Sequence, residues 1–126
     1  MRLLLDSHVV LWWLADDPAL GARCARALRH ADEVRFSPVT PWELGIKRAL
    51  GKLDFPDGMA DALDGGGIVE LPITSAHAEL AASLPPHHRD PFDRMLVAQA
   101  QLAELTLVTA DETIQPYDVA LLDARS

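Results

Sequence analysis

The segment RLLLDSHVVLWWL, residues 2–14, decides the fold that we expect for this chain. Its first four residues, Arg2–Leu5, form a short apolar run that is typical of a buried strand, and Val9–Leu14 has the composition of an apolar helix. A strand followed closely by a helix is the repeating unit of a parallel sheet covered by helices. Asp6 stands directly after the strand.

The same alternation continues along the chain. Further strands are predicted at Val34–Ser37, Ile68–Pro72, Thr106–Thr109 and Val119–Leu122. Further helices are predicted at Asp17–His30, Thr40–Leu50, Pro56–Leu63, Thr74–Ser83 and Asp90–Leu105. The pattern predicts one α/β domain over residues 1–126, a three-layer α/β/α sandwich with a central, mostly parallel five-stranded sheet.

Composition excludes several classes of protein. With 126 residues, 49% hydrophobic and 24% charged, the chain has the composition of a single globular domain. The single cysteine, Cys24, excludes an intramolecular disulfide scaffold and a thiolate zinc site, and it favours a cytoplasmic location. The apolar run after Met1 is too short for a signal peptide or a membrane span, so we expect no membrane association.

The charge of the chain is unevenly distributed. A net charge of −8 argues at first against a nucleic-acid partner, because phosphate contacts need Lys and Arg. Residues 23–52, however, hold seven basic residues against three acids, whereas residues 53–126 carry a net charge of −10. Arg23, Arg26 and Arg29 share one helix and form either a stripe for contact with a nucleic-acid backbone or a solvated face.

Four acids occupy equivalent places in the predicted fold. Asp6 and Asp111 directly follow strands, and Glu43 and Asp93 lie in the first turns of helices. Because the carboxyl ends of parallel strands share one edge of a sheet, we expect these four side chains to converge. Each acid alone also has a structural explanation, as an N-cap or as part of a capping box with Thr40 or Asp90.

Capping does not explain why four carboxylates would share one edge. They would repel one another and raise each other's pKa, a cost that proteins accept mainly where a cation is bound. Oxygen ligands without a thiolate favour Mg²⁺, or Mn²⁺, over zinc. The chemistry that such a cluster supports is phosphodiester hydrolysis by a metal-activated water.

The segments that carry these acids resemble a known family. They are LLLDSH (3–8), SPVTPWEL (37–44), HRDPFDRMLVAQA (88–100) and LVTAD (107–111), and they closely resemble PIN-domain ribonucleases of the VapC toxin type, over nearly the whole chain. The resemblance implies a PIN-like fold and a Mg²⁺-dependent endoribonuclease that hydrolyses phosphodiester bonds in RNA. It also implies the toxin of a VapBC-type toxin–antitoxin pair, a homodimer that is inhibited by a small VapB-like antitoxin covering the acidic pocket.

By this resemblance, the catalytic residues and the metal ligands come from the four acids. Asp6 and Asp93 would be the main metal ligands, Asp111 would complete the site or bind a second metal, and Glu43 would orient the attacking water. Two residues are further expected to contact substrate: Thr109, whose hydroxyl would bind a carboxylate or the scissile phosphate unless its role is structural, and Arg94, which would meet an acid or a phosphate. Asp90 resembles the helix cap and stays outside the quartet.

Three histidines and three tryptophans near the predicted site have a structural and a functional interpretation. His87 and His88 fit no zinc spacing and are interpreted as two solvated rings in a turn, with a contact of His88 to RNA left open. His8 either approaches the substrate or is packed. Trp12 and Trp13 are interpreted as core or interface residues, with stacking on bases as the alternative. Trp42 is interpreted as a packing residue that fixes the direction of Glu43.

Other protein classes fit less well. A receiver domain needs a Lys late in the chain, and none occurs after Lys52. A haloacid-dehalogenase-type phosphatase needs Asp two residues after the first acid, where His8 stands. Two alternatives remain: a catalytically silent PIN-like binding or scaffold domain, and a solitary RNA-processing nuclease without an antitoxin.

Overall fold

All five strands of the sheet run parallel in the computed structural model, which describes residues 1–126. The strand order is β3-β2-β1-β4-β5, where the strands are β1 Arg2–Leu5, β2 Glu33–Phe36, β3 Val69–Glu70, β4 Thr106–Thr109 and β5 Leu121–Asp123. The predicted five-stranded α/β sandwich is therefore confirmed, with a sheet that is wholly rather than mostly parallel. The bounds of β1 and β4 agree with the prediction, and β3 is shorter than predicted.

Six helices connect the strands. They are α1 Ser7–Leu14, α2 Ala22–His30, α3 Val39–Ala49, α4 Met59–Gly65, α5 Ser75–Ser83 and α6 Pro91–Ala103. The predicted start of α2 at Asp17 is wrong, because the Asp17 side chain accepts from the backbone N–H of Ala19 within a separate turn. The N-caps predicted at Thr74 and Asp90 are confirmed by their hydrogen bonds to the first turns of α5 and α6. None of these helices is long and apolar enough to cross a membrane.

The core lies on both faces of the sheet, with the central strand β1 at its middle. Leu3 and Leu5 point to one face, with residues of α1, α2 and α4, while Leu4 points to the other, with residues of α5 and α6. All three leucines are fully buried, and burial of each stabilises the fold by about 1.5–3 kcal/mol. β1 reads as a continuous apolar run because both of its faces are covered.

The position of β1 also fixes where a ligand can bind. The chain leaves β1 in the middle of the sheet, with β2 on one side and β4 on the other. The connection after β1 leads to β2 and the connection after β4 leads to β5 on the opposite side, which opens a crevice at the carboxyl edge of the sheet. Asp6 and Asp111 both lie at this edge, one after β1 and the other after β4.

Candidate active site

Asp6 is fixed by its position between β1 and α1. Its side chain is 4% exposed and accepts the backbone N–H of Val9 at 2.9 Å, so it is the N-cap of α1. Its own N–H donates to the carbonyl of Val108 in β4, at 3.0 Å. Burial raises the pKa of Asp6, and a hydrogen bond from the Thr109 hydroxyl partly offsets this rise. A buried carboxylate of this kind favours a cation partner.

Glu43 points from α3 into the same region. Its Oε1 accepts from the Ser7 hydroxyl at 2.7 Å and its Oε2 accepts from the Lys47 ammonium at 2.9 Å. The capping-box explanation of Glu43 is wrong, because α3 begins at Val39 and Thr40 already lies inside the helix. The hydrogen bond between Lys47 and Glu43 raises the pKa of Lys47. Both oxygens of Glu43 are therefore held in place by side chains.

Asp93 lies in the first turn of α6. The helix begins after Asp90, whose Oδ1 accepts from the backbone N–H groups of Phe92 and Asp93. Burial, and next the charges of Asp90 and Glu43, raise the pKa of Asp93 to about 7. The cluster thus holds more negative charge than it can stabilise with its own residues.

Asp111 is the most exposed of the four acids, with 36% of its side chain accessible. It follows β4 and accepts from the backbone N–H of Thr113 at 2.9 Å, while its own N–H donates to the Thr109 hydroxyl at 3.0 Å. Burial acts to raise the pKa of Asp111, but hydrogen bonds from Thr113 and His88 outweigh it and lower this pKa. Thr109 therefore connects Asp6 and Asp111 through one hydroxyl.

His88 joins this cluster, contrary to the prediction of a solvated ring. Its Nε2 lies 3.0 Å from Asp93 Oδ2 and 3.0 Å from Asp111 Oδ2. Its Nδ1 accepts from the backbone N–H of Asp90 at 3.2 Å. Because a backbone N–H only donates, Nδ1 carries no proton, and the ring donates from Nε2 to the two carboxylates. His87, by contrast, is exposed and packs edge-on against Tyr117.

Arg94 does not contact the four acids, and its predicted contact with substrate stays a prediction. Its guanidinium donates to a set of backbone carbonyls, those of Ala81, Ala82, Leu84, Pro85 and His88. The Tyr117 hydroxyl donates to the carbonyl of Pro85 at 2.8 Å and accepts the N–H of His88 at 2.9 Å. Hydrogen bonds of Arg94 and Tyr117 therefore hold residues 84–90, which include His88, in place.

The four predicted acids line one cavity of about 250 Å³. Its lining comprises Asp6, Ser7, His8, Trp12, Glu43, Lys47, Asp90, Asp93, Ala110, Asp111 and Arg125, and five of these are carboxylates. We call it the acidic cavity. Ligand atoms of His88, Asp93 and Asp111 lie within 4.8 Å of one another, a grouping that suits a metal ion. A donor set dominated by carboxylate oxygens fits a hard divalent cation. Three other clefts are larger, and two of them are lined mostly by apolar side chains.

Trp12, predicted in the core or an interface, and Trp42, predicted to direct Glu43 by packing, differ in the structure. Trp12 is partly buried and packs against the core, as predicted. Trp42 is 63% exposed and lies edge-on to Phe92, 5.0 Å between ring centroids, so its predicted role in directing Glu43 is wrong. Ser7 and Lys47 direct Glu43 instead.

Comparison with known proteins agrees with this geometry. The family model of the PIN domain matches residues 3–120. Ribonuclease VapC22 of Mycobacterium tuberculosis (strain ATCC 25618 / H37Rv) is 31% identical over 122 residues, which cover 91% of this chain and 91% of that protein.

Solved structures share the fold at lower identity. VapBC2 from Rickettsia felis, bound to a DNA fragment of its promoter, matches with a TM-score of 0.71 and 14% identity, covering 97% of this chain and 98% of that chain. FitAcB from Neisseria gonorrhoeae matches with a TM-score of 0.66 and 22% identity, covering 98% of each chain. The match over residues 3–120, together with the relative at 31% identity, shows that the chain belongs to the PIN domain family.

Proposed function

We propose that this chain is a Mg²⁺-dependent endoribonuclease that hydrolyses phosphodiester bonds in RNA. The observation that carries the proposal is the convergence of Asp6, Glu43, Asp93 and Asp111 in one cavity of a PIN domain. The relative at 31% identity is named a ribonuclease, which supports RNA as the substrate. These four acids are the catalytic residues that we propose.

Asp6, Asp93 and Asp111 would hold the metal ion, with Mg²⁺ as the proposed ion and Mn²⁺ as the alternative. The raised pKa of Asp93 supports the fit, because excess negative charge in the cluster is what a divalent cation relieves. When bound, such a cation lowers the pKa of a coordinated water and neutralises charge on the phosphate. We propose that Glu43, held by Ser7 and Lys47, orients the attacking water.

Three further residues would act by positioning the acids. Thr109 donates to Asp6 and accepts from the N–H of Asp111, so we propose that it holds these acids rather than the substrate. His88 donates to Asp93 and Asp111. Arg94 holds the segment that carries His88, and a contact between its guanidinium and the substrate stays a prediction.

We further propose that the enzyme is the toxin of a VapBC-type toxin–antitoxin pair. The structural relatives include the VapBC complex from Salmonella typhimurium bound to DNA and a toxin–antitoxin complex from Klebsiella pneumoniae. The proposed partner is a small VapB-like antitoxin, and the proposed assembly is a homodimer located in the cytoplasm. Expression of the chain alone should then arrest growth of a bacterial host, and Asp93→Asn should abolish the arrest. Growth arrest that persists with Asp93→Asn would contradict the toxin mechanism.

Cleavage of RNA by the purified chain tests the enzymatic proposal. Single-stranded RNA is incubated with the parent and with Asp93→Asn, in Mg²⁺ and in EDTA. Only the parent in Mg²⁺ should cleave, because Asp93 is a proposed ligand. Asp118→Asn is the matched control, since it removes one exposed carboxylate outside the acidic cavity and should leave cleavage unchanged. Cleavage in EDTA, or an Asp93→Asn variant as active as the parent, would sink the proposal.

A further inference from the structure

Arg125 is a free cation beside a cavity of carboxylates. It follows β5, is exposed, and lines the acidic cavity. Its guanidinium makes no hydrogen bond and no ion pair, whereas Lys47, the other Lys or Arg of the lining, is paired with Glu43. The guanidinium carbon instead lies 5.6 Å from the centroid of the Trp12 ring. Arg125 is therefore available to an anion that enters the cavity.

Two aromatic rings of α1 lie next to this cation. His8 and Trp12 are four residues apart on one helix face, and their ring centroids are 6.3 Å apart with a 52° tilt. His8 is exposed, Trp12 is partly buried against the core, and both line the acidic cavity. We call His8, Trp12 and Arg125 the ledge. Nothing in the proposed hydrolysis uses these three side chains.

We propose that the ledge binds one unpaired nucleotide of the RNA next to the phosphate that is cleaved. Arg125 contacts the phosphate of that nucleotide, and the base stacks on the exposed ring of His8 with Trp12 beside it. Aromatic faces bind bases of single strands, and an exposed cation binds phosphate. This inference rests on the proposed ribonuclease function and adds to it the form of the substrate.

The unpaired charge of Arg125 suits a phosphate as the occupant of the ledge. Five carboxylates line the acidic cavity, so a phosphate can approach only next to a cation. Arg125 is the cation of the lining that has no acid partner. Bases within a duplex are already stacked and do not reach such rings, so the ledge selects single-stranded or looped RNA.

RNA binding at varied salt tests the phosphate contact. The probe is a short fluorescein-labelled single-stranded RNA, and anisotropy is measured in the Asp93→Asn background, which does not cleave. Arg125→Gln should weaken binding and make the slope of log K against log salt concentration less negative by about 0.7, the value for one lost phosphate contact on a single strand. Lys52→Gln removes an exposed charge that does not line the cavity, and it should leave the slope unchanged.

The same assay tests stacking. His8→Ala and Trp12→Leu should each weaken binding roughly 5- to 100-fold with little change in salt slope, because they remove base stacking rather than charge. Trp12→Phe keeps an aromatic face and should retain most of the affinity. Circular dichroism verifies that each variant folds, and His8→Ala remains decisive if Trp12→Leu does not, since His8 is exposed.

Three results would overturn the ledge. The first is an Arg125→Gln variant with parental affinity and parental slope. The second is duplex RNA of equal length that binds as tightly as the single strand and responds equally to His8→Ala. The third is a set of ledge variants that lose binding to the antitoxin but keep their binding to RNA. In that case the ledge would be a protein-binding surface. The ribonuclease proposal would survive each of these results if cleavage still depends on Asp93 and Mg²⁺.

Discussion

Asp93 sits where its charge is unfavourable. Its pKa of about 7 in the folded protein lies above the ordinary value of 3.8, so the folded chain keeps a proton that the unfolded chain has lost. Stability must then fall as the pH rises through this window, and the loss is complete above the folded pKa. This is the reverse of an acid in a salt bridge, whose pKa is lowered and whose contribution grows with pH.

Asp93→Asn should therefore stabilise the protein in the absence of metal. We expect the free energy of unfolding near pH 8 to rise by about 1–3 kcal/mol, because one pKa unit corresponds to about 1.4 kcal/mol and Asn loses part of the packing and hydrogen bonding. Close to pH 4 this gain should be absent, so that only the loss of packing and hydrogen bonding is left and Asp93→Asn is no more stable than the parent. Urea unfolding in EDTA at both pH values measures it, with Asp118→Asn as control. Equal destabilisation at both pH values would show that Asp93 has a structural role instead.

The donor role of His88 can be tested with two side chains of different reach. A glutamine amide places its nitrogen near the position of Nε2, whereas an asparagine amide is too short to do so. His88→Asn should lower the free energy of unfolding at neutral pH by about 1–2 kcal/mol, and His88→Gln should lose less than half of that. Nitrogen NMR of the metal-free protein should show the ring protonated on Nε2. Equal losses for both variants would argue against hydrogen-bond donation.

At the scale of elements, the connector 84–90 depends on side chains for its shape. It lies between α5 and α6, and the guanidinium of Arg94 holds it through backbone carbonyls. Lys cannot copy this contact, because an ammonium is a point charge without a planar fork of donors. Arg94→Lys should therefore cost about 2 kcal/mol of stability and reduce cleavage of RNA about 10-fold or more.

Tyr117→Phe removes a smaller part of the contacts that hold residues 84–90. It removes the hydroxyl that bridges Pro85 and His88, and it should cost about 1 kcal/mol. Thermal unfolding and limited proteolysis within residues 84–90 measure both effects. If Arg94→Lys proves as stable as the parent but binds RNA more weakly, the substrate contact expected from sequence would be supported instead.

The elements show which parts of this fold a sequence reveals. β1 and β4 were predicted to the residue, because strands buried on both faces are unbroken apolar runs. β3 lies at the sheet edge with Val69 49% exposed, so the apolar run Ile68–Pro72 overstated its length. The four acids were predicted to converge because parallel strands share an edge. The sequence does not predict that His88 joins the acids, because its partner Asp111 is 23 residues away on another element.

At the scale of the whole molecule, the concentration of acids in one cavity has a measurable consequence. Five of the 19 acids line one cavity, so a divalent cation should stabilise the folded chain specifically. Each tenfold excess of Mg²⁺ over its dissociation constant should add about 1.4 kcal/mol. The effect should grow between about pH 6 and pH 8, because Asp93 must release its proton to bind the ion.

Differential scanning calorimetry measures this stabilisation. Asp93→Asn should lose most of it. NaCl at matched ionic strength serves as the control, since general screening acts on every exposed charge. A similar rise in Tm with NaCl, or an undiminished response in Asp93→Asn, would show that the ion does not bind at the acidic cavity.

Because β1 lies at the centre of the sheet, the two walls of the acidic cavity differ in how readily they open. Asp6 is attached to a strand whose leucines are fully buried, and its amide is bonded to β4, so this wall opens only when the whole domain unfolds. The opposite wall includes Asp90, at the end of the connector 84–90, which side chains hold in place, and such segments open locally. Amide hydrogen exchange should therefore be slow at Leu3–Leu5 and much faster at residues 84–90.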